Sequence, residues 1–386
     1  MEEWRTYKLD ELIDFQNGYA FKSEHFTEKG EFKIIKIKEL KNGFVKFFDD
    51  TASIDITNSD LGYFEKFYVQ KGDVLFALTG DPVSKPNELS WVGRVSIYNK
   101  TEKALLNQRT CKIVNKGNKV NTQYLYYYFR QPDVLYSLAS RAKGSASQAN
   151  LSTKDIGNLS ITLPPRYVQD TIVDILGSLD YKIHINCQIN DNLEQQAREL
   201  FKSWFINSPQ ESWKEKSLSD YFNVITGKKD ANYSTPEGAY PFFTCSQDIL
   251  KAPSYSFDGH AILVAGNGDF NVKRYIGKFE AYQRTYVLIP HEEKFHAFLY
   301  LMIDYYLPEI TGGSRGSVIK FITKGNIANF RFRVPQNNID DQLKKLNDIY
   351  KIIDCNLEES SRLTKMRDTL LPKLMSGELK INEIDC

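Results

Sequence analysis

The sequence is poor in the residues that build secreted and metal-dependent proteins. Only 5 of its 386 residues are cysteine and 5 are histidine. Cys111, Cys187, Cys245, Cys355 and Cys386 are odd in number, scattered and without a CxxC pair, so neither a disulfide framework nor a zinc site fits their spacing. No run approaches the ~18 apolar residues of a membrane span, and Met1 to Lys8 is charged, unlike a signal peptide. The expectation is a reduced, cytoplasmic protein without membrane association. A charge excess is missing too: 50 Lys+Arg against 49 Asp+Glu leave a net +1. At face value that counts against a nucleic-acid binder.

Catalytic motifs are also scarce. Gly266-Asn267-Gly268 is the one Gly-x-Gly and belongs to no GxGxxG or Walker A pattern. Leu163-Pro164-Pro165-Arg166 is not the Asn-Pro-Pro-aromatic motif of adenine methyltransferase families. His291 and His296 flank Glu292 and Glu293 but do not spell HExxH, and His25, His184 and His260 stand alone. Binding is therefore better supported than catalysis.

What is present is a globular composition, 41% hydrophobic, with 24 Phe, 23 Tyr and 4 Trp. At ~100–200 residues per domain the length suggests two or three domains. Internal self-similarity is the most informative feature. Trp4, Leu9 and Gly18 recur at the spacing of Trp213, Leu218 and Gly227, and Gln108-Arg109-Thr110 is echoed by Gln283-Arg284-Thr285. Leu151 to Pro164 matches Ile322 to Pro335 in apolar pattern, with Asn158 over Asn329. Between these anchors lie short β-rich runs such as Phe32 to Lys38, Val74 to Leu78, Gly93 to Ile97 and Ala261 to Ala265, plus one helix per unit near 122–138 and 294–306.

After each unit the hydrophobic period changes to a heptad. Ile172, Leu176, Leu179, Ile183, Asn186, Asn190, Leu193, Ala197, Leu200 and Trp204 step by alternate fours and threes. Leu343, Leu346, Tyr350, Ile353, Leu357, Ser360, Thr364, Arg367, Leu371 and Leu374 do the same. Pro164-Pro165 and Pro335 precede these helices; Pro209 and Pro372 mark their expected ends. The fold class expected is α+β, an internal pseudo-twofold repeat of two globular domains (1–164 and 213–335) joined by two long antiparallel coiled-coil helices (165–212 and 336–386). At ~1.5 Å per residue the helix pair would form a rod of roughly 50 Å with one domain at each end. Asn186 and Asn190 would meet Ser360 in a polar layer, or face solvent. The alternative is two ordinary amphipathic helices packed on separate cores.

Splitting the charge at these boundaries changes its meaning. Residues 1–164 carry net +3, 165–212 carry −3, 213–335 carry +3 and 336–386 carry −2. Two basic domains sit on acidic helices. Their cations cluster in apparent loops. One pair comprises residues 141–150, with Arg141, Lys143, Ser145, Gln148 and Asn150, and residues 312–320, with Arg315, Ser317 and Lys320. A second pair comprises residues 79–85, with Lys85, and residues 266–274, with Asn267, Asn271, Lys273 and Arg274. Such loops can contact phosphates through Arg, Lys, Ser and backbone N–H, and base edges through Gln, Asn and Arg. Each could equally be a solvated turn.

Three segments carry a family resemblance. Residues 193–205 (LEQQARELFKSWF) resemble the end of the central conserved region of Type I restriction-modification specificity subunits. Residues 367–379 (RDTLLPKLMSGEL) resemble their C-terminal conserved region, and residues 72–80 (GDVLFALTG), followed by Asn107-Gln108, are similar to their target recognition domains. Head two is shorter than head one, and Pro-Pro-x-x-x-Gln occurs only at 164–169. The resemblance implies a non-catalytic subunit that binds double-stranded DNA. Each domain would read half of a bipartite site, and the helices would set the spacer and dock two modification (adenine methyltransferase) subunits. Restriction/translocase subunits would join, and S-adenosylmethionine, ATP and Mg would be bound by those partners and not by this chain. The competing reading is a two-headed scaffold for protein or glycan partners.

Overall fold

The computed structural model describes residues 4–57, 59–85, 90–145, 148–207, 209–312, 320–336 and 338–380. The chain divides into two compact units, residues 1–182 with 362–386, and residues 183–361. Each unit is α+β and contains a segment of both long helices, Arg166–Phe205 and Asp340–Ser376. Divisions at 164, 212 and 335 isolate the helices in sequence; in space each helix is shared between the two cores.

In the first unit, Arg5–Lys8 pairs antiparallel with Ser160–Leu163. A six-stranded sheet runs in the order Ile13–Asn17, Thr110–Asn115, Val74–Ala77, Val95–Ile97, Phe44–Val45, Leu40–Lys41. Val74–Ala77 is central and buried on both faces, which is why it reads as a continuous apolar run. A second sheet orders Ser53–Ile54, Phe32–Ile35, Ala104–Leu106 and Tyr68–Val69. Here the period-2 alternation sends Ile34 and Leu105 to one apolar cluster, and Ile35, Ala104 and Leu106 to the other. The single helix expected over 122–138 is two, Thr122–Phe129 and Pro132–Arg141, because Pro132 lacks an N–H and starts a new helix instead of extending the old one.

The junction with the first long helix is fixed by Gln169, which is fully buried. Its amide donates to the carbonyls of Pro164 (2.9 Å) and Lys119 (3.0 Å) and accepts from Asn121 N–H (2.8 Å). That explains the Pro-Pro-x-x-x-Gln motif: the glutamine satisfies backbone groups that the prolines and the preceding turn leave open. In this unit Ile172, Val173 and Leu176 share a core with Leu371, Leu374 and Met375. Above them is a buried polar network. Asp180 accepts from Arg367 (2.7 Å), Tyr127 (3.0 Å) and Arg130 (3.2 Å). Pro372 does not end the second helix, which continues to Ser376; Gly377, at φ +75°, follows it.

In the second unit, Lys214–Ser217 pairs with Arg331–Val334 as the first strand of unit one pairs with its last. The six-stranded sheet orders Phe222–Thr226, Thr285–Pro290, Phe257–Ala265, Val272–Ala281, Tyr240–Phe243 and Leu250–Ala252. Helix His296–Tyr305 shares a core with Ala197, Phe201, Phe205, Leu343, Leu346, Tyr350 and Ile353 from the long helices. A fully buried Leu or Phe contributes about 1.5–3 kcal/mol, so this shared core makes the helix segments integral to the unit. Phe201 and Phe205 are buried beside the expected Ala197, and the expected Leu200 and Trp204 pack half-buried against the same core. The reason is that these turns face Phe298 as well as the other long helix.

The polar layer forms within this unit. Asn186 Nδ2 donates to Glu359 (2.7 Å) and Ser360 (3.3 Å), while Asn190 Nδ2 donates to the Ile353 carbonyl (3.3 Å) and Asn190 Oδ1 accepts from Asn356 (2.8 Å). The falling partner number shows the two segments to be antiparallel. Leu357, expected in the seam, is instead 55% exposed, because Asn356 and Ser360 turn toward the asparagines.

Candidate nucleic-acid interface

The repeat anchors become one backbone motif built twice. Gly18 N–H donates to Thr110 O (3.0 Å) and Gly227 N–H to Thr285 O (3.1 Å). Gln108 N–H donates to Tyr19 O, and Gln283 N–H to Lys229 O, both at 2.9 Å. The turns close through Thr110 N–H to Asn107 O (2.9 Å) and Thr285 N–H to Tyr282 O (2.8 Å). Both threonine hydroxyls are buried: that of Thr110 donates to Asn107 O (2.8 Å) with Ile35 O at 3.3 Å, and that of Thr285 donates to Phe243 O (3.3 Å). Glycine is required because the strands nearly touch: a Cβ at Gly18 would lie 2.1 Å from Asn107 O, and one at Gly227 2.1 Å from Ala281 O. The motif buries Thr and exposes the preceding Gln and Arg in both units.

The described residues of the candidate loop pairs lie beside these turns. In unit one, Leu78 N–H donates to Arg109 O (3.0 Å) and Leu151 N–H to Leu78 O (2.9 Å). Thr79–Gly80 then ladders with Gln148–Asn150, which pairs with Lys143–Ser145. In unit two, Gly266 N–H donates to Arg284 O (2.8 Å) and Ile322 N–H to Gly266 O (3.0 Å). Asn267 bridges to Phe321, and Gly268 N–H donates to Lys320 O (3.0 Å). The equivalence of Leu151 with Ile322 is the one the sequence alignment gave.

Side chains in these loops divide into free and committed groups. Lys85, Arg141, Lys143 and Gln148 are exposed. Asn150 is exposed and its Oδ1 accepts from Thr79 (3.1 Å) and from Arg109 Nη1 (3.4 Å). Lys320 is exposed and Asn267 half-buried. Arg315 and Ser317 lie outside the described residues, as does the side chain of Ser145.

Three expected contact residues are engaged within the protein. Arg274 is held by Asp354 through two bonds (2.5 and 2.9 Å), donates to Tyr350 O (3.3 Å) and stacks 4.3 Å over the Tyr350 ring. Its strand alternation turns it toward the helix segment, so it braces the unit. Asn271 is 8% exposed and spends its Nδ2 on the carbonyls of Cys245 and Asp269, both at 2.9 Å. Lys273 donates to Ser246 O (2.6 Å) and Asn271 Oδ1 (2.5 Å), and burial lowers its pKa. It keeps the 245–248 segment in place. His296, from the histidine pair noted in the sequence, is buried with Nε2 3.1 Å from Ala261 O; desolvation lowers its pKa to about 4.

Sequence reasoning missed Arg109 and Arg284 as surface groups, although it quoted both as repeat anchors. Their recurrence beside a buried Thr was the available signal. It also missed Asp180, whose partners are remote in the chain.

A family model, described as the Type I restriction modification DNA specificity domain, matches residues 1–195 and again 210–364. The EcoDI specificity subunit of Escherichia coli is 39% identical over 43% of this chain, a match spanning 38% of that protein's length. The putative MjaX specificity subunit of Methanocaldococcus jannaschii is 24% identical over 98% of this chain and 94% of its own. Among solved structures, a Type I restriction-modification system S subunit from M. genitalium superposes with a TM-score of 0.61 over 96% of each chain at 17% identity, a likeness of fold.

Proposed function

This chain belongs to the family of the Type I restriction modification DNA specificity domain, and from that premise we propose that it selects the DNA sequence on which a restriction-modification complex acts. The observation that carries the reading is the double match, one domain to each half of the chain. Each unit reads one half of a bipartite site. Lysines and arginines of the converging loops hold phosphates, and Gln, Asn and Arg side chains meet base edges. The long helices set the distance between the halves and dock two modification subunits, with restriction subunits completing the assembly. S-adenosylmethionine, ATP and Mg are bound by those partners. Methylation within a duplex falls to a partner that extrudes the base. The complex works in the cytoplasm, where DNA is accessible.

Co-expression with the modification subunits, followed by genome-wide mapping of methyladenine, tests this reading. A split motif with a fixed gap is the expected result. Duplex affinity of the purified complex should also fall steeply with salt, by about 10³–10⁵ between 50 and 200 mM if 6–10 phosphates are contacted. Absence of methylation together with salt-insensitive binding would point to a protein or glycan scaffold instead.

A further inference from the structure

We infer that Arg109 and Arg284 are equivalent base-reading residues, each contacting a guanine in its own half-site; the inference rests on the DNA-specificity reading above. Both project from the same turn, whose Thr is buried and whose Gly admits the neighbouring strand within van der Waals contact. The turn is therefore rigid, and its exposed Arg is positioned by structure on a well-packed sheet. Arg130, Arg166, Arg198, Arg274, Arg331 and Arg367 are each paired with a carboxylate. Among the described residues no carboxylate pairs with Arg109 or Arg284. Guanidinium groups left without an anion, at matching positions flanked by the convergent loops, are suited to a neutral, bidentate acceptor, and guanine O6 and N7 present one.

The surroundings differ in an informative way. Asn150 accepts from Arg109 at 3.4 Å while also holding Thr79, so it can orient the guanidinium without neutralising it. In unit two the ladder position of Asn150 is taken by Phe321, and among the described residues no amide side chain bonds to Arg284. There Gln283, the residue before Arg284, is exposed like Gln108 but donates to Asp230 (2.7 Å). Unit one thus presents Gln108 without a carboxylate partner among the described residues and unit two presents Gln283 bonded to Asp230, so the two half-sites share a guanine contact but differ beside it.

The test uses the full complex with modification subunits and maps methylated motifs for wild type, Arg109→Ala, Arg109→Lys, Arg284→Ala and Arg284→Lys. A bidentate contact discriminates by about 5- to 150-fold, so Arg109→Ala should relax one base position in one half-site by that factor and leave the other half strict. Arg284→Ala should relax one position in the other half-site. Lysine keeps a phosphate contact and can still donate to guanine O6 and N7, but through one rotatable ammonium in place of a planar fork, so the lysine variants should relax the same positions less than the alanine variants do. Unchanged motifs in the alanine variants would overturn the inference while the family reading stands. If alanine abolishes methylation, retained non-specific duplex affinity with continued loss in the lysine variant supports base reading. A wild-type complex that methylates no split motif would instead overturn the family reading itself.

Discussion

Arg274→Ala separates a structural from a DNA-binding role for a cation that the sequence alone places in a binding loop. The substitution removes two charged bonds to Asp354, a third to Tyr350 O and the stack on the Tyr350 ring. The Arg274 side chain is 10% exposed and that of Asp354 34%. Breaking a fully buried pair costs about 3–5 kcal/mol, and an exposed pair contributes at most about 1. With one partner a third exposed, the loss should be about 2–3 kcal/mol, of which roughly 1 is the cation–π contact. Hydrogen exchange in the Phe257–Ala265 strand, combined with urea unfolding, reads the loss in unit two. A double-mutant cycle with Asp354→Ala should give a coupling of about 1–2 kcal/mol. The salt slope of duplex binding should stay unchanged, since each lost phosphate contact would reduce it by about 0.9. A variant as stable as wild type with a shallower salt slope would refute the reasoning and return Arg274 to the interface.

Two further predictions concern buried polar groups. Asp180→Ala strands Arg367, Arg130 and the Tyr127 hydroxyl around a missing acceptor, and should destabilise unit one by about 3–5 kcal/mol, with Asp180→Asn milder; a change below about 0.5 kcal/mol in unit-one unfolding would contradict the network. His296 has a pKa of about 4 when folded against 6.5 when unfolded. The unfolded chain therefore binds the extra proton between those values, so stability present above pH 6.5 is lost as pH falls toward 4, by up to about 3 kcal/mol. His296→Gln should flatten that part of the stability–pH profile, and an identical slope in the variant would show that His296 does not carry it.

Much of the architecture is legible in the chain because it is written in short-range patterns. The repeat anchors survive as pairs of identical backbone bonds, Leu151 and Ile322 among them. Heptad stepping identifies both long helices, and Asn186 meets Ser360 while Asn190 meets Asn356, as the antiparallel arrangement requires. The misreadings arise where a third element intervenes. Phe201 and Phe205 join Leu200 and Trp204 and are the more buried because another helix lies beside them, and Leu357 is displaced by Asn356 and Ser360. Pro372 sits inside a helix whose last turn continues past it.

The sequence by itself determined the two-fold repeat, the long amphipathic helices, the segregation of charge behind a net +1, and the family. Those features follow from periodicity, spacing and local composition, which need no knowledge of distant contacts. Only the tertiary structure decided which cations are available. Arg274 meets a carboxylate 80 residues away and is committed, whereas Arg109 and Arg284 meet none among the described residues. Charge is a property of a residue, but its availability depends on which partner folding brings within about 4 Å, where pairing and desolvation decide what an ion can still bind.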